Sequence, residues 1–233
     1  EERKVLAELS ALVAEEASAL NQVVAVLRAL DLALARGRYG RWLGGVEPQL
    51  EAAAEAPFRF SGLRHPLLVW QHKRAEGPPV VPISVEVSPE LRVVAITGPN
   101  TGGKTVTLKS IGLAALMARA GMLLPCSGQP SLPWCAQVLA DIGDEQSLQQ
   151  SLSTFSGHVK RIGRILEALQ RGGSPALVLL DEVGAGTDPS EGTALATALL
   201  KALADRARLT IATTHFGELK ALKYDDARFE NAS

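Results

Sequence analysis

Along the first 36 residues the apolar positions recur at spacings of three and four. Leu9, Leu12, Ala19, Val23, Leu27, Leu30 and Leu34, joined by Glu16, fall into one stripe, which predicts a single long helix. No Pro interrupts it, and Gly37 is its first Gly. Such a helix reads as a strut or coiled-coil arm, or alternatively as a surface helix packed on the following domain. The Gly- and Ala-rich stretch 37–57 leaves its end open. From Phe58 the texture changes. Phe58-Arg59-Phe60, Val80-Val81-Pro82-Ile83 and Val85-Glu86-Val87 read as short strands among Gly and Pro, with an exposed turn from His72 to Pro79. After Leu91 strands alternate with helices. The strands are placed at Leu91–Ile96, Val138–Ile142, Leu177–Leu180 and Leu209–Thr213, and the helices at Thr105–Ala120, Phe155–Leu169 and Glu191–Leu203. The last helix has Asp188 as N-cap, Pro189 in its first turn and Glu191 at N3. The pattern predicts an α/β fold: a mostly parallel sheet with helices on both faces, preceded by a long N-terminal helix. Residues 1–57 are read as a helical part and 58–233 as the α/β domain.

Two motifs on this frame carry chemistry. Gly98-Pro99-Asn100-Thr101-Gly102-Gly103-Lys104-Thr105 matches G-x-x-x-x-G-K-[ST] between an apolar strand and a helix, the context a phosphate-binding loop needs. Its glycines let backbone N–H groups point inward at a phosphate, and the helix N-terminus adds partial positive charge. Lys104 supplies a point charge to the β- and γ-phosphates, and the Thr105 hydroxyl suits Mg²⁺. Downstream, the apolar strand Leu177–Leu180 ends in Asp181-Glu182. Two acids at a buried strand tip need a cation or a task. Asp181 fits the second Mg²⁺ contact, and Glu182 the group that polarises the attacking water. The inserted strand Val138–Ile142 between the two motifs, with a Glu beside the Mg²⁺ Asp, favours ATPases that hydrolyse in pairs or rings over Ras-like GTPases, and no N-K-x-D guanine reader follows the acidic strand. His215, after Thr213-Thr214, reads either as a surface residue or as a γ-phosphate sensor. Gly184–Asp188 is expected to form a flexible loop beside the carboxylates. Ser151–Phe155 opens a helix, with Ser153 as cap and its N-terminus as a potential phosphate contact.

Composition narrows this reading without changing it. The chain has 233 residues, 46% hydrophobic and 21% charged, ordinary for a globular protein. No run approaches the ~20 uninterrupted apolar residues of a membrane span. A net charge of −1 argues against nucleic-acid binding by bulk electrostatics, though not against a local basic patch. Cys126 and Cys135 make neither a disulfide framework nor a metal pattern, and read as thiols in a reducing cytosol. The start at Glu1-Glu2-Arg3-Lys4, without Met or a signal peptide, suggests a piece of a longer protein.

Taken together, G-P-N-T-G-G-K-T, S-T-F, L-V-L-L-D-E-V-G-A-G-T-D-P and A-T-T-H resemble the MutS family of ABC-type ATPases, as does Arg64-His65-Pro66 upstream. The stretch Ala140–Ser147 with T-G-G-K-T resembles the branch of the second bacterial MutS paralogue, which when complete carries a C-terminal Smr nuclease domain. The resemblance covers 58–233, with 1–57 similar to the end of the family's helical core and lever. It implies ATP shared between two subunits of a homodimer. Lys104, Thr105, Asp181, Glu182 and His215 would act on the nucleotide in their own subunit, Asn100 would lie over the phosphates, and Ser153 would face the partner's γ-phosphate. Val80, Val81 and Pro82 would line the adenine. It further implies a cytoplasmic clamp on branched DNA that restrains recombination, or one acting on collided ribosomes. No mismatch-reading F-x-E is present. No Smr domain lies within residues 1–233, so these residues are not expected to cut nucleic acid. The family's C-terminal helices, which clamp the dimer, are not reached, so pairing of this stretch alone is expected to be weak. Two other classes compete: the motor subunit of an ABC transporter, which would need an L-S-G-G-Q-like element that is absent, and a module using ATP only as structural glue, against which Glu182 and His215 argue.

Overall fold

The structure is a computed structural model. It describes the chain except residues 53–55, 75, 99–102, 144–150, 173–174 and 233, and of 151–155 it describes the backbone alone. Helices α1 (Glu2–Glu15) and α2 (Ala17–Leu43) are followed by β1 (Gln49–Glu51), β2 (Phe58–Leu63), α3 (Pro66–Lys73), β3 (Ile83–Val87) and β4 (Val93–Thr97). Then come α4 (Lys104–Arg119), β5 (Ser131–Pro133), β6 (Gln137–Asp141), α5 (Ser151–Arg171), β7 (Ala176–Leu180), α6 (Pro189–Ala204), β8 (Leu209–Thr214), α7 (Leu222–Asp225) and β9 (Phe229–Ala232).

The expected parallel sheet is present, in the order β6-β7-β8-β4-β9, with each neighbouring pair parallel. Side chains alternate across β7 as the pleat requires. Leu177 and Leu179 join the core under α4 with Leu108 and Ile111, while Val178 and Leu180 face α5 and α6 through Ile165, Leu169, Ala196 and Leu200. Burial on both faces explains why these strands read as unbroken apolar runs. The strand after Gln137, which lies between the two motifs in sequence, sits at the sheet edge. The strand that separates β4 from β7 in space is β8. A second sheet, β1-β5-β2-β3, packs Phe58, Phe60, Leu63 and Val87 onto the α4 side of the core. Its strand β1 lies before the 57/58 boundary read from sequence and pairs with β5 well beyond it.

Several local expectations are corrected. The N-terminal helix is interrupted at Glu16 (φ −96°, ψ 10°) and continues through Gly37 and Gly40 to Leu43. Its apolar stripe is not packed on the rest of the chain: Leu9, Val23 and Leu30 are 54%, 53% and 53% exposed. Only Gly40 and Leu43 of α2 are buried. Among the described residues α2 is the one helix long and apolar enough to cross a membrane, a weak signal for a helix near the N-terminus. His72 and Lys73 belong to α3 rather than to a turn, and Pro66 stands in the first turn of that helix, where its missing N–H costs nothing. Val80 to Pro82 precede β3 instead of forming a strand.

Arg208, buried at the foot of β8, ties the two sheets together. Its guanidinium donates to the carbonyls of Ala56 (2.7 Å) and Leu91 (3.1 Å) and lies over the Phe58 ring at 5.6 Å. Cys126 and Cys135 are buried free thiols whose pKa values are pushed up to about 11, in each case chiefly by burial. Replacing Arg208 with Met keeps much of the stem but leaves two carbonyls without this donor. Urea denaturation is expected to show a loss of about 1–3 kcal/mol per carbonyl left unsatisfied. A loss below about 0.5 kcal/mol, the scale of an ordinary surface change, would deny Arg208 this role.

Candidate nucleotide site

In a parallel sheet every strand presents its carboxyl end at the same edge, and that edge is where such folds bind ligands. Here the edge gathers, in order across the sheet, Asp141 at the end of β6, Asp181-Glu182 after β7, Thr213, Thr214 and His215 on and after β8, and Gly98 after β4. Gly98, Lys104, Thr105, Asp181, Glu182 and His215 therefore converge, although the segments carrying them are far apart in the chain. Pro99, Asn100, Thr101 and Gly102 lie outside the described residues, as does the side chain of Ser153. The backbone of Ser153 lies within α5, which already includes Ser151, so Ser153 is not that helix's cap.

Gly103 caps α4 in the left-handed conformation (φ 74°, ψ 16°), where a side chain would be strained. Lys104 opens the helix, is buried, and donates from Nζ to the Gly98 carbonyl just after β4. Beside it, Thr105 Oγ1 donates to Asp181 Oδ1 at 3.2 Å. These two hard oxygen donors suit Mg²⁺, which prefers one or two protein oxygens, substrate phosphates and water. No cluster of three His, Cys, Asp or Glu residues able to hold a metal occurs among the described residues.

The acidic turn is defined by Thr213. Its hydroxyl donates to Asp181 Oδ1 (2.6 Å) and accepts from the Glu182 N–H (2.7 Å), while its carbonyl accepts from the Val183 N–H (3.0 Å). Glu182 has φ 50°, alone in positive φ among the described non-glycine residues. That conformation is costly for a residue with a side chain and persists where neighbours hold it. Its carboxylate Oε1 lies 3.2 Å from His215 Nε2. His215, although exposed, thus meets the Glu182 carboxylate directly.

The loop after Glu182, expected to be flexible, makes hydrogen bonds of its own. Ala185 N–H donates to the Glu182 carbonyl at 3.0 Å, and Thr187 Oγ1 donates to Glu191 at 3.0 Å. A Cβ on Gly184 would lie 2.6 Å from the Gly192 carbonyl oxygen, so the loop and α6 approach backbone to backbone. Asp188 caps α6 as expected, and hydrogen bonds from the Ser190 hydroxyl and N–H hold its carboxyl below the usual range. Val80 packs partly against the core and Val81 is 82% exposed, an apolar surface of the kind a base could stack on. In Arg64-His65-Pro66, His65 precedes α3. Burial, and then the charge of Lys109, lower its pKa, so it is neutral near pH 7.

Sequence reading missed the bridging role of Thr213 and a trio formed by buried Asp141 with half-buried His158 and Arg161. Asp141 carried a usable signal, since it too is an acid at the tip of an apolar strand. If Thr213 holds the acidic turn, Thr213→Val, isosteric but without the hydroxyl, is expected to cost about 1–3 kcal/mol in chemical denaturation. An unchanged midpoint would mean that Glu182 is held by other contacts.

A profile of MutS domain V matches residues 94–233. An "Endonuclease MutS2" of Synechocystis sp. is 57% identical over all of this chain and 30% of its own length. The protein of that name from Symbiobacterium thermophilum is 48% identical over all of this chain and 28% of its own, and that from Pelotomaculum thermopropionicum is 46% identical over 99% and 28%. The chain thus spans about 30% of the length of the curated relatives it matches. Nothing in these comparisons favours a transporter motor. With Gly98, the acidic strand end and His215 at one edge of a parallel sheet, the chain belongs to the MutS family, in its MutS2 branch, and carries the family's domain V.

Proposed function

We propose that this chain binds Mg·ATP and hydrolyses it to ADP and phosphate, as the motor of a cytoplasmic homodimeric clamp on branched DNA. The observation that carries the hydrolytic part is the meeting of Thr105, Asp181, Thr213, Glu182 and His215 through hydrogen bonds at the strand edge beside Gly98. In this reading the loop from Gly98 through Pro99, Asn100, Thr101, Gly102 and Gly103 wraps the phosphates, with Lys104 neutralising their charge and leaving Gly98 to do so. Thr105 and Asp181 hold Mg²⁺, which supplies charge neutralisation to the transferring phosphoryl group. Glu182 accepts a proton from the attacking water, and His215 orients that carboxylate. Val80, Val81 and Pro82 line the base. Ser153 brings the front of α5 to ATP held by the partner subunit. The whole protein is further proposed to act on DNA junctions and restrain recombination, with collided ribosomes as the competing substrate. Nuclease action, as the relatives' names suggest, is assigned to an Smr domain outside these residues.

Glu182→Gln is expected to retain ATP in calorimetry while slowing hydrolysis by roughly 10²–10⁴-fold, the scale of a lost positioned base. A variant turning over at the wild-type rate would move water activation elsewhere. For the shared site, Ser153→Arg is expected to block turnover without weakening ATP binding. Mixing it with Lys104→Ala protein is expected to restore part of the activity, because one composite site in each heterodimer is then intact. No recovery in a mixture shown by light scattering to contain dimers would refute the shared site.

A further inference from the structure

Asp141 is a buried acid that nothing so far uses. Its side chain is 4% exposed, and each carboxylate oxygen takes a donor from the same helix: His158 Nδ1 lies 2.7 Å from Oδ2, and Arg161 Nε donates to Oδ1. The carboxylate at 2.7 Å places the proton on His158 Nδ1. Arg161 Nη2, at 3.3 Å from that nitrogen, is then a close neighbour rather than a donor to it. His158 and Arg161 stand three residues apart and so share one face of α5. The main chain of Asp141 is engaged in the other direction, its carbonyl accepting the Asp181 N–H at 2.9 Å. One residue therefore grips α5 with its side chain and the acidic turn with its backbone. Asp141, His158, Asp181, Glu182 and Gly184 line one cleft between them.

The packing of α5 makes this grip consequential. Its rear half is anchored in the core by Ile165 and Leu169, whereas from Ser156 to Arg164 no described side chain is fully buried. Among the described side chains of this stretch, the front of the helix meets the sheet through Ile162, which packs partly buried against the core, and through charge-assisted hydrogen bonds to Asp141, which are strong but directional. A small shift of α5 changes their geometry before it disturbs the apolar anchor behind them.

We propose that Asp141, His158 and Arg161 are positioning residues that set the Asp181–Glu182 turn according to how the front of α5 is seated. The consequence for turnover rests on the ATPase reading; the mechanical link does not. The test compares His158→Leu, which keeps bulk but no donor, with His158→Asn, whose amide can donate in place of Nδ1, and with Arg161→Met as an independent lesion. Hydrogen exchange is followed in peptides spanning 176–185, alongside ATP affinity and kcat. The Leu and Met variants are expected to exchange faster across Asp181–Val183. Their kcat should fall by up to about 100-fold, the scale of a misplaced reacting group, at unchanged ATP affinity, with the Asn variant recovering most of both. Unchanged exchange at 176–185 in folded Leu and Met variants would overturn the proposal. So would a parallel fall of stability, affinity and kcat without rescue by Asn, since that is what a merely structural contact produces. If the wild type itself fails to hydrolyse ATP while the exchange contrast persists, the ATPase reading fails and the positioning link stands.

Discussion

A carboxylate taken out of water at the end of an apolar strand must be hydrogen-bonded, paired or neutralised. At the tip of β7 that constraint is met by two hydroxyls from different elements, Thr105 on α4 and Thr213 on β8, both donating to the same oxygen of Asp181. The position of β8 between β4 and β7 is what makes this possible, because Thr213 then reaches Asp181 and Glu182 at once. Everything else at the site follows from that placement. Glu182 is held in a conformation that only its surroundings sustain, and His215, one residue beyond β8, comes within reach of its carboxylate.

The architecture around this edge divides the work between two kinds of contact. Apolar side chains alternate to both faces of the sheet and bury α4 on one side and α5 and α6 on the other, a non-directional contribution that sets the layers. Polar groups then fix orientation where layers meet: Arg208 between the two sheets, Asp141 between β6 and α5, Asp188 at the start of α6. The long α1–α2 pair departs from this scheme. Its stripe has helical spacing but, among the described residues, meets no apolar surface except near Leu43, so it is exposed where the stripes of α4 and α6 are buried.

Much of the domain was legible from residues alone because its signals are local. A helix opening at Lys104-Thr105, an unbroken apolar run ending in two acids, and Asp188-Pro189 opening a helix each need only their own neighbourhood, and each stands where expected. The edge position of β6, the pairing of β1 with β5, and the strand β9 beside β4 depend on partners far away in the chain. Short strands of three or four residues carry too little periodicity to announce themselves, and α3 was hidden by a short sequence with few apolar contrasts.

What the sequence by itself determined was the inventory: a motif of phosphate-loop pattern, a Thr and an Asp of the kind that suit Mg²⁺, a candidate base, and alternating elements suited to a parallel sheet. What only the tertiary structure decided was which of these groups touch. Strand order is a matter of long-range pairing, and no local pattern says that β8 rather than β6 lies beside β7 on the side of β4. Nor could local pattern show that Thr213 bridges the two acids, that the Gly184 loop is pinned against Gly192, or that Asp141 links α5 to the acidic turn. Side-chain identity is local information. Hydrogen bonds between strand tips depend on angstrom-scale distances that exist only once the sheet has formed.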